Sequence, residues 1–227
     1  MQQNSSHPIR VIITGATGMV GEGVLHECLQ SEQVASVLVI NRRPIGFQHP
    51  KLTEVTHPDF MDVGALASVV KNYDACFFCL GVSSVGMKEA TYYQLTYTLT
   101  TGFAELLCQQ NPGMVFCYVS GKGTDSSEKG ALMWARVKGK TENALLQMPF
   151  KAAYMFRPGI IIPTPGLKNT LKLYHYLGWL IPLFKLMMPS SICSLQQIGK
   201  AMIRLAIRAD AKRIIEVNDI KRIAATV

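Results

Sequence analysis

Three glycines at a fixed interval, Gly15, Gly18 and Gly21, stand where a β-branched run (Ile9 to Ile13) gives way to Val20, Val24 and Leu25 at helical spacing. Strand, tight turn and helix in that order make a phosphate-binding turn. Gly15 permits the sharp exit from the strand, Gly18 lacks the Cβ that would block a pyrophosphate, and Gly21 lets the helix lie close to the sheet. Free N–H groups and the positive dipole end of the helix then face anionic oxygens. The expected diphosphate contacts are Gly15, Thr17, Gly18, Met19, Val20 and Gly21. A second group lies at the end of the next apolar run. A carboxylate there would accept from a ribose 2′-hydroxyl and select NAD, but this chain has Asn41, Arg42 and Arg43. Two guanidiniums at that point suit a 2′-phosphate through charge-assisted hydrogen bonds, so the expected cofactor is NADP(H). The other reading of the pair is a solvated basic turn.

These groups need a frame. Apolar runs at Ala35–Ile40, Lys51–Thr56, Asp74–Leu80, Met114–Val119 and Lys151–Phe156 predict further strands, with a last one at Arg213–Val217. Between them, helices are expected from an Asp62 cap through Val70, over Lys88–Gln110 and Ala131–Gln147, and over Ser194–Ala209. A terminal helix is expected to start at Asn218 or Asp219. Such alternation specifies an α/β fold, a Rossmann-type doubly wound parallel sheet with a small C-terminal substrate-side extension. One domain is expected over residues 1–227. Residues 160–190 break the pattern with prolines and an aromatic group (Tyr174, Tyr176, Trp179 and Phe184). That insertion reads as a substrate cover or, equally, as a hydrophobic flap or dimer surface, which leaves a homodimer open.

Composition removes several classes. A chain of 227 residues that is 48% hydrophobic and 17% charged describes one well-filled globular core. The net charge of +8 comes from scattered residues with no nucleic-acid module, so no nucleic-acid partner is expected. The longest apolar stretch, Tyr174 to Met188, is interrupted by Pro182 and Lys185, so no transmembrane segment is expected. The polar start, Met1 to Pro8, lacks a secretory pattern and points to the cytoplasm. Cys76 and Cys79 fall in an apolar strand, where they read as core residues, and the isolated histidines assemble no metal site.

The motifs T-G-A-T-G-M-V-G, N-R-R after strand two, D-F-x-D after strand three, and W-A-R-V-K-G-K-T-E followed by R-P-G-I carry a family likeness. The chain resembles the short-chain dehydrogenase/reductase superfamily in its atypical and extended, epimerase-like branches, near the Tat-interacting oxidoreductase-like proteins. The resemblance implies that Asp59 and Phe60 border the adenine, that Leu80 and Gly81 wall the adenosine ribose, and that Pro158, Gly159 and Ile160 line the nicotinamide end. It also implies a catalytic tyrosine and lysine four residues apart on one helix, with a serine or threonine after strand five.

Here the spacing is kept by Trp134 and Lys138. Lys138 can still hold a ribose, but indole N–H only donates and cannot shuttle a proton near neutrality. Trp134 is left to pack on the nicotinamide or close the pocket. Ser120 is the hydroxyl candidate, against a simple strand-end role, and Gly121 follows where a second hydroxyl is common. Thr124 lies farther along the loop, and Tyr92, Tyr93 or Tyr97 either replaces the missing hydroxyl or belongs to the core and rim. Two functions follow from this state of the site. One is an NADP(H)-dependent oxidoreductase or epimerase-like enzyme acting on a small carbonyl or hydroxyl compound. The other is a catalytically silent NADPH-binding sensor.

Overall fold

Continuous Val/Ile runs bury on both faces of a parallel sheet, and the computed structural model arranges them so, describing residues 7–169 and 188–226. Seven parallel strands lie in the order β3-β2-β1-β4-β5-β6-β9. They are β1 (Ile9–Thr14), β2 (Val34–Asn41), β3 (Leu52–Thr56), β4 (Ala75–Phe78), β5 (Val115–Val119), β6 (Ala152–Arg157) and β9 (Ile214–Glu216). Alternate residues feed two cores. Val11, Ile13, Phe77 and Phe156 pack under α1 (Met19–Gln30), α5 (Leu195–Ile207) and α6 (Val217–Ala225). Ile12, Phe78, Phe116 and Tyr118 pack under α3 (Leu99–Gln110) and α4 (Met133–Gln147). The expected doubly wound parallel sheet is therefore the fold.

Several boundaries differ from the sequence reading. Asp62 caps no helix: Gly64–Leu66 forms a single 3₁₀ turn, because Gly64 and β-branched Val63, Val69 and Val70 hold a helix poorly. The long helix expected over Lys88–Gln110 begins as α2 (Glu89–Tyr93) and passes through a π-turn, Gln94–Thr98, before α3. Within the insertion, Ile160–Ile162 (β7) pairs in parallel with Ile192–Ser194 (β8) as a separate small sheet. The aromatic group Tyr174 to Phe184 lies outside the described residues. The terminal helix starts at Val217, since Asp219 serves as its third residue, accepting the Glu216 N–H at 3.1 Å in a capping box. Ser194 starts α5 as expected, with its Oγ accepting from Gln197 N–H at 3.1 Å and Gln197 Oε1 accepting in return at 2.9 Å. No described helix is long and apolar enough to cross a membrane.

Two glycines bring α1 and α5 together over the sheet. A Cβ on Gly23 would lie 2.8 Å from Leu195 Cβ, and one on Gly199 would lie 2.7 Å from Glu27 Cβ. The contact clamps α1 from behind. Gly199→Val overpacks it at a cost of about 1–3 kcal/mol. Thermal denaturation should show the melting temperature lower by about 2–4 °C per kcal/mol, and an unchanged value would remove the clamp.

Candidate functional site

Everything chemical converges at the C-terminal edge of the parallel strands. The strand order reverses between β1 and β4, and there the turn after Thr14 crosses the end of β4 at van der Waals limit. Gly15 holds φ +73°, and a Cβ on it would lie 2.7 Å from both Cys79 O and Leu80 N. The Gly18 N–H donates to Gly15 O at 2.9 Å, and a Cβ on Gly21 would strike the same oxygen at 2.2 Å. A Cβ on Gly18 would meet only that oxygen, at 3.4 Å, so the space above Gly18 is open to a ligand. Asn41 braces the turn from β2: its Oδ1 accepts the Ala16 N–H at 3.0 Å. Its Nδ2 and the Thr14 hydroxyl beside the turn are buried with no partner among the described residues. This bracing role was not foreseen for Asn41, which the sequence offered only as a missing carboxylate.

Beside the turn, a cleft of about 100 Å³ gathers Arg42, Asp59, Phe60, Leu80 and Gly81 with Leu95 and Leu99. Five residues singled out from three separate segments thus share one wall. The π-turn carries Leu95 and ends just before Leu99, the two apolar side chains that close the cleft from the helix side. Phe60 is buried against Phe103, with ring centroids 6.0 Å apart. Arg43 is exposed and does not line the cleft. A larger cavity of about 480 Å³ runs behind, between α1 and the 44–49 loop, with Thr17 at its rim. The smaller cleft is the one that gathers the residues singled out after β2, β3 and β4, whereas the larger holds only Thr17 of the expected site residues.

The lysine site lies on the other side of the turn. Lys138 projects from α4, and its Nζ donates to the Ser120 carbonyl oxygen at the end of β5. Burial pushes its ammonium down to about 8, opposed by the nearby Glu142 carboxylate. Trp134, one turn earlier, packs on the loop: a Cβ on Gly123 would lie 3.3 Å from its ring. The loop is pressed against α4, since a Cβ on Gly139 would overlap Asp125 O at 1.7 Å. Pro158 O accepts the Lys122 N–H at 2.8 Å, and a Cβ on Gly159 would strike Ser191 O at 2.2 Å. The strand end that leads to half-exposed Ile160 is therefore held from both sides.

Ser120, expected as a catalytic hydroxyl, does not offer its proton to the pocket. Its Oγ sits 2.5 Å from Glu142 Oε1 and 3.0 Å from the Phe156 carbonyl oxygen, both acceptors. Glu142 is fully buried and meets Arg157 through both oxygens, Oε1 at 3.0 Å from Nε and Oε2 against Nη2. Arg157 reaches on to Ser126 Oγ at 2.5 Å and Glu216 Oε1 at 3.5 Å. The Glu142 carboxylate holds the guanidinium above its ordinary range. Sequence reasoning quoted both residues inside T-E and R-P-G without seeing that they pair. The available signal was the i, i+4 spacing of Lys138 and Glu142, which puts the carboxylate on the lysine's face.

A family model described as the NAD dependent epimerase/dehydratase family matches residues 11–131. Protein HTATIP2 of Rattus norvegicus is 26% identical over 154 residues, covering 67% of this chain and 62% of that protein. The mitochondrial protein fmp52-2 of Aspergillus oryzae is 25% identical over 152 residues, 66% of each chain. The chain thus spans a little under two thirds of the length of these relatives. Among solved structures, the Helicobacter pylori ADP-L-glycero-D-manno-heptose-6-epimerase superposes with TM-score 0.69 at 15% identity, over 99% of this chain and 84% of that one. At that identity the likeness is one of fold.

The buried pair is testable without any ligand. Glu142→Gln leaves the Arg157 guanidinium facing an amide, which should lower unfolding free energy by about 3–5 kcal/mol in a denaturant titration. A loss under about 1 kcal/mol would mean that Arg157 finds Glu216 and water an adequate replacement.

Proposed function

Because the chain belongs to the NAD dependent epimerase/dehydratase family and is an NAD(P)-binding, oxidoreductase-like protein, we propose that it binds NADP(H) and moves hydride between that cofactor and a small carbonyl or hydroxyl compound. One observation carries the reading. The glycine turn that crosses β4, the Arg42 cleft and the Lys138 ammonium all stand on one edge of the sheet, on either side of the strand-order reversal. A dinucleotide laid across that edge meets a diphosphate cradle in its middle, a guanidinium at one end and an ammonium at the other.

In this reading the N–H groups of Thr17 to Val20 and the dipole of α1 bind the diphosphate. Arg42 pairs the 2′-phosphate, and exposed Arg43 adds charge from outside. Asp59 and Phe60 border the adenine, Leu80 and Gly81 wall its ribose, and Lys138 holds the nicotinamide ribose. Pro158, Gly159 and Ile160 line the nicotinamide, with Trp134 closing that end over Gly123. The bound cofactor supplies hydride chemistry; the chain binds, orients and excludes water. Ser120 acts here as a brace for Glu142.

A second reading, an NADPH-binding sensor or regulator with no turnover, is favoured by two specific facts. Trp134 stands where a proton-carrying hydroxyl is expected, and the Ser120 hydroxyl is committed to Glu142.

Calorimetry tests the cofactor. Wild type should take up NADPH at least about tenfold more tightly than NADH, the scale of one charge-assisted hydrogen bond. Arg42→Ala should erase the difference and leave NADH binding nearly unchanged. Equal wild-type affinity for the two removes the 2′-phosphate contact, and uptake of neither removes the whole reading.

A further inference from the structure

A carbonyl reduction needs a proton as well as hydride, and the usual donor is missing. We propose that Lys138 itself gives the proton to the substrate oxygen, so that one ammonium holds the ribose and serves as the acid. This rests on the preceding assignment of the NADP(H) edge.

Among the described residues, the other candidates at this end of the sheet are engaged by hydrogen bonds, buried, or turned toward another face of α4. The Ser120 hydroxyl faces two acceptors, Glu142 and the Phe156 carbonyl. The buried Thr124 hydroxyl donates to Gly121 O at 2.8 Å. Tyr92 is buried, and burial pushes its phenol up. Tyr93 and Tyr97 stack on each other, centroids 4.7 Å apart, beneath Lys140. Lys140 lies two residues from Lys138 and so on a different face of α4. The Asp125 carboxylate accepts from Ser127 and Gly130, which keeps it below its usual range and ionised. Lys122 donates to Ser191 Oγ at 2.6 Å, toward the small β7-β8 sheet. Lys138 is left. It donates to a main-chain carbonyl at the end of β5, and an ammonium has further N–H bonds to give.

The surroundings suit the task. Glu142 lies one turn along α4, Arg157 reaches in from β6, Tyr118 comes from β5 and Tyr92 from α2. Glu142 and Arg157 neutralise each other, so Lys138 feels burial more than any unshared charge, and its ammonium falls to about 8. An acid titrating near working pH combines a populated charged form with a ready proton. In the reductive direction, the carbonyl carbon accepts hydride from a reduced dihydronicotinamide and the C=O π pair moves to oxygen. A new O–H bond forms as an Nζ–H bond breaks, its electron pair staying on nitrogen. The carbonyl is reduced to the alcohol, the dihydronicotinamide is oxidised to the pyridinium, and the neutral amine regains a proton from water.

The ammonium is the competent form for reduction, so the rate should be level below pH about 8 and fall above it. Lys138→Arg keeps the cation and its donors but cannot release a proton near neutrality. Two acceptors separate acid from anchor: benzaldehyde yields an alkoxide that must be protonated, whereas phenanthrenequinone yields a far less basic hydroquinone anion. With NADPH affinity measured by fluorescence and both rates taken at saturating cofactor, the variant should lose benzaldehyde reduction at least about tenfold more than quinone reduction. Equal loss on both acceptors, or loss on neither, overturns the proposal. NADPH bound but consumed with neither acceptor by wild type overturns it in favour of the silent reading, and absence of NADPH binding brings down the cofactor assignment instead.

Nitrogen-15 and carbon-13 spectra of the labelled, cofactor-free protein supply a readout apart from activity. One lysine side chain, identified by its absence in Lys138→Arg, should titrate near pH 8. Lys138 titrating at the reference lysine value of about 10.4 overturns the proposal. If Lys138→Arg fails to fold, the wild-type benzaldehyde profile decides: a rate still level at about pH 10 overturns it as well.

Discussion

The constraint from which the rest of the first core follows is the passage of the first turn over the end of β4. With Gly15 in the left-handed region and no room for a Cβ against Cys79 and Leu80, the turn has one path. Strand β4 in consequence leaves the ladder after Phe78, earlier than its apolar sequence suggests, and its next residues become a wall for a ligand. Gly21 then seats α1 on Gly15 O, and Gly23 and Gly199 seat α5 on α1. A row of missing methyl groups thus transmits the position of a buried strand end to the N–H groups at the start of α1. Each link is steric, so little in the row can adjust independently.

The Glu142–Arg157 pair makes a different contribution. Burying two charges costs desolvation that their attraction barely offsets, so the pair is poor evidence for stability in itself. What it does is join β5, β6, α4 and the loop at Ser126 into one polar lattice with Ser120 at its head. An apolar replacement could fill the same volume, but it would take from the buried Ser120 hydroxyl its Glu142 acceptor. The lattice is read most simply as the foundation of the lysine site.

Much of this was legible in the sequence because it is local. Alternating β-branched runs, glycines at turn positions and caps such as Ser194 each act within a few residues, and the sheet order follows from connection rules. The wall of the small cleft was legible too, through motif likeness: Asp59, Phe60, Leu80 and Gly81 come together with Arg42. Illegible were the partners of buried polar atoms. Whether Ser120 faces a ligand or Glu142, 22 residues away, depends on strand twist and helix rotation that no local pattern records. For the same reason Asn41 looked like an absent acid and proved a brace. The β7-β8 pair escaped notice since three residues make no periodicity, and the π-turn because a single extra residue per turn leaves composition unchanged.

Trp134 then has a physical explanation that does not require loss of function. A phenol at this position would need a polar neighbour for its hydroxyl, but the loop presents backbone and Gly123, whose φ of +89° excludes most side chains and exposes a flat surface to the ring. The indole ring, one turn before Lys138 on α4, packs against Gly123. Burial favours the neutral amine, which is the direction in which Lys138 is shifted, and the Ser120 hydroxyl serves the lattice below.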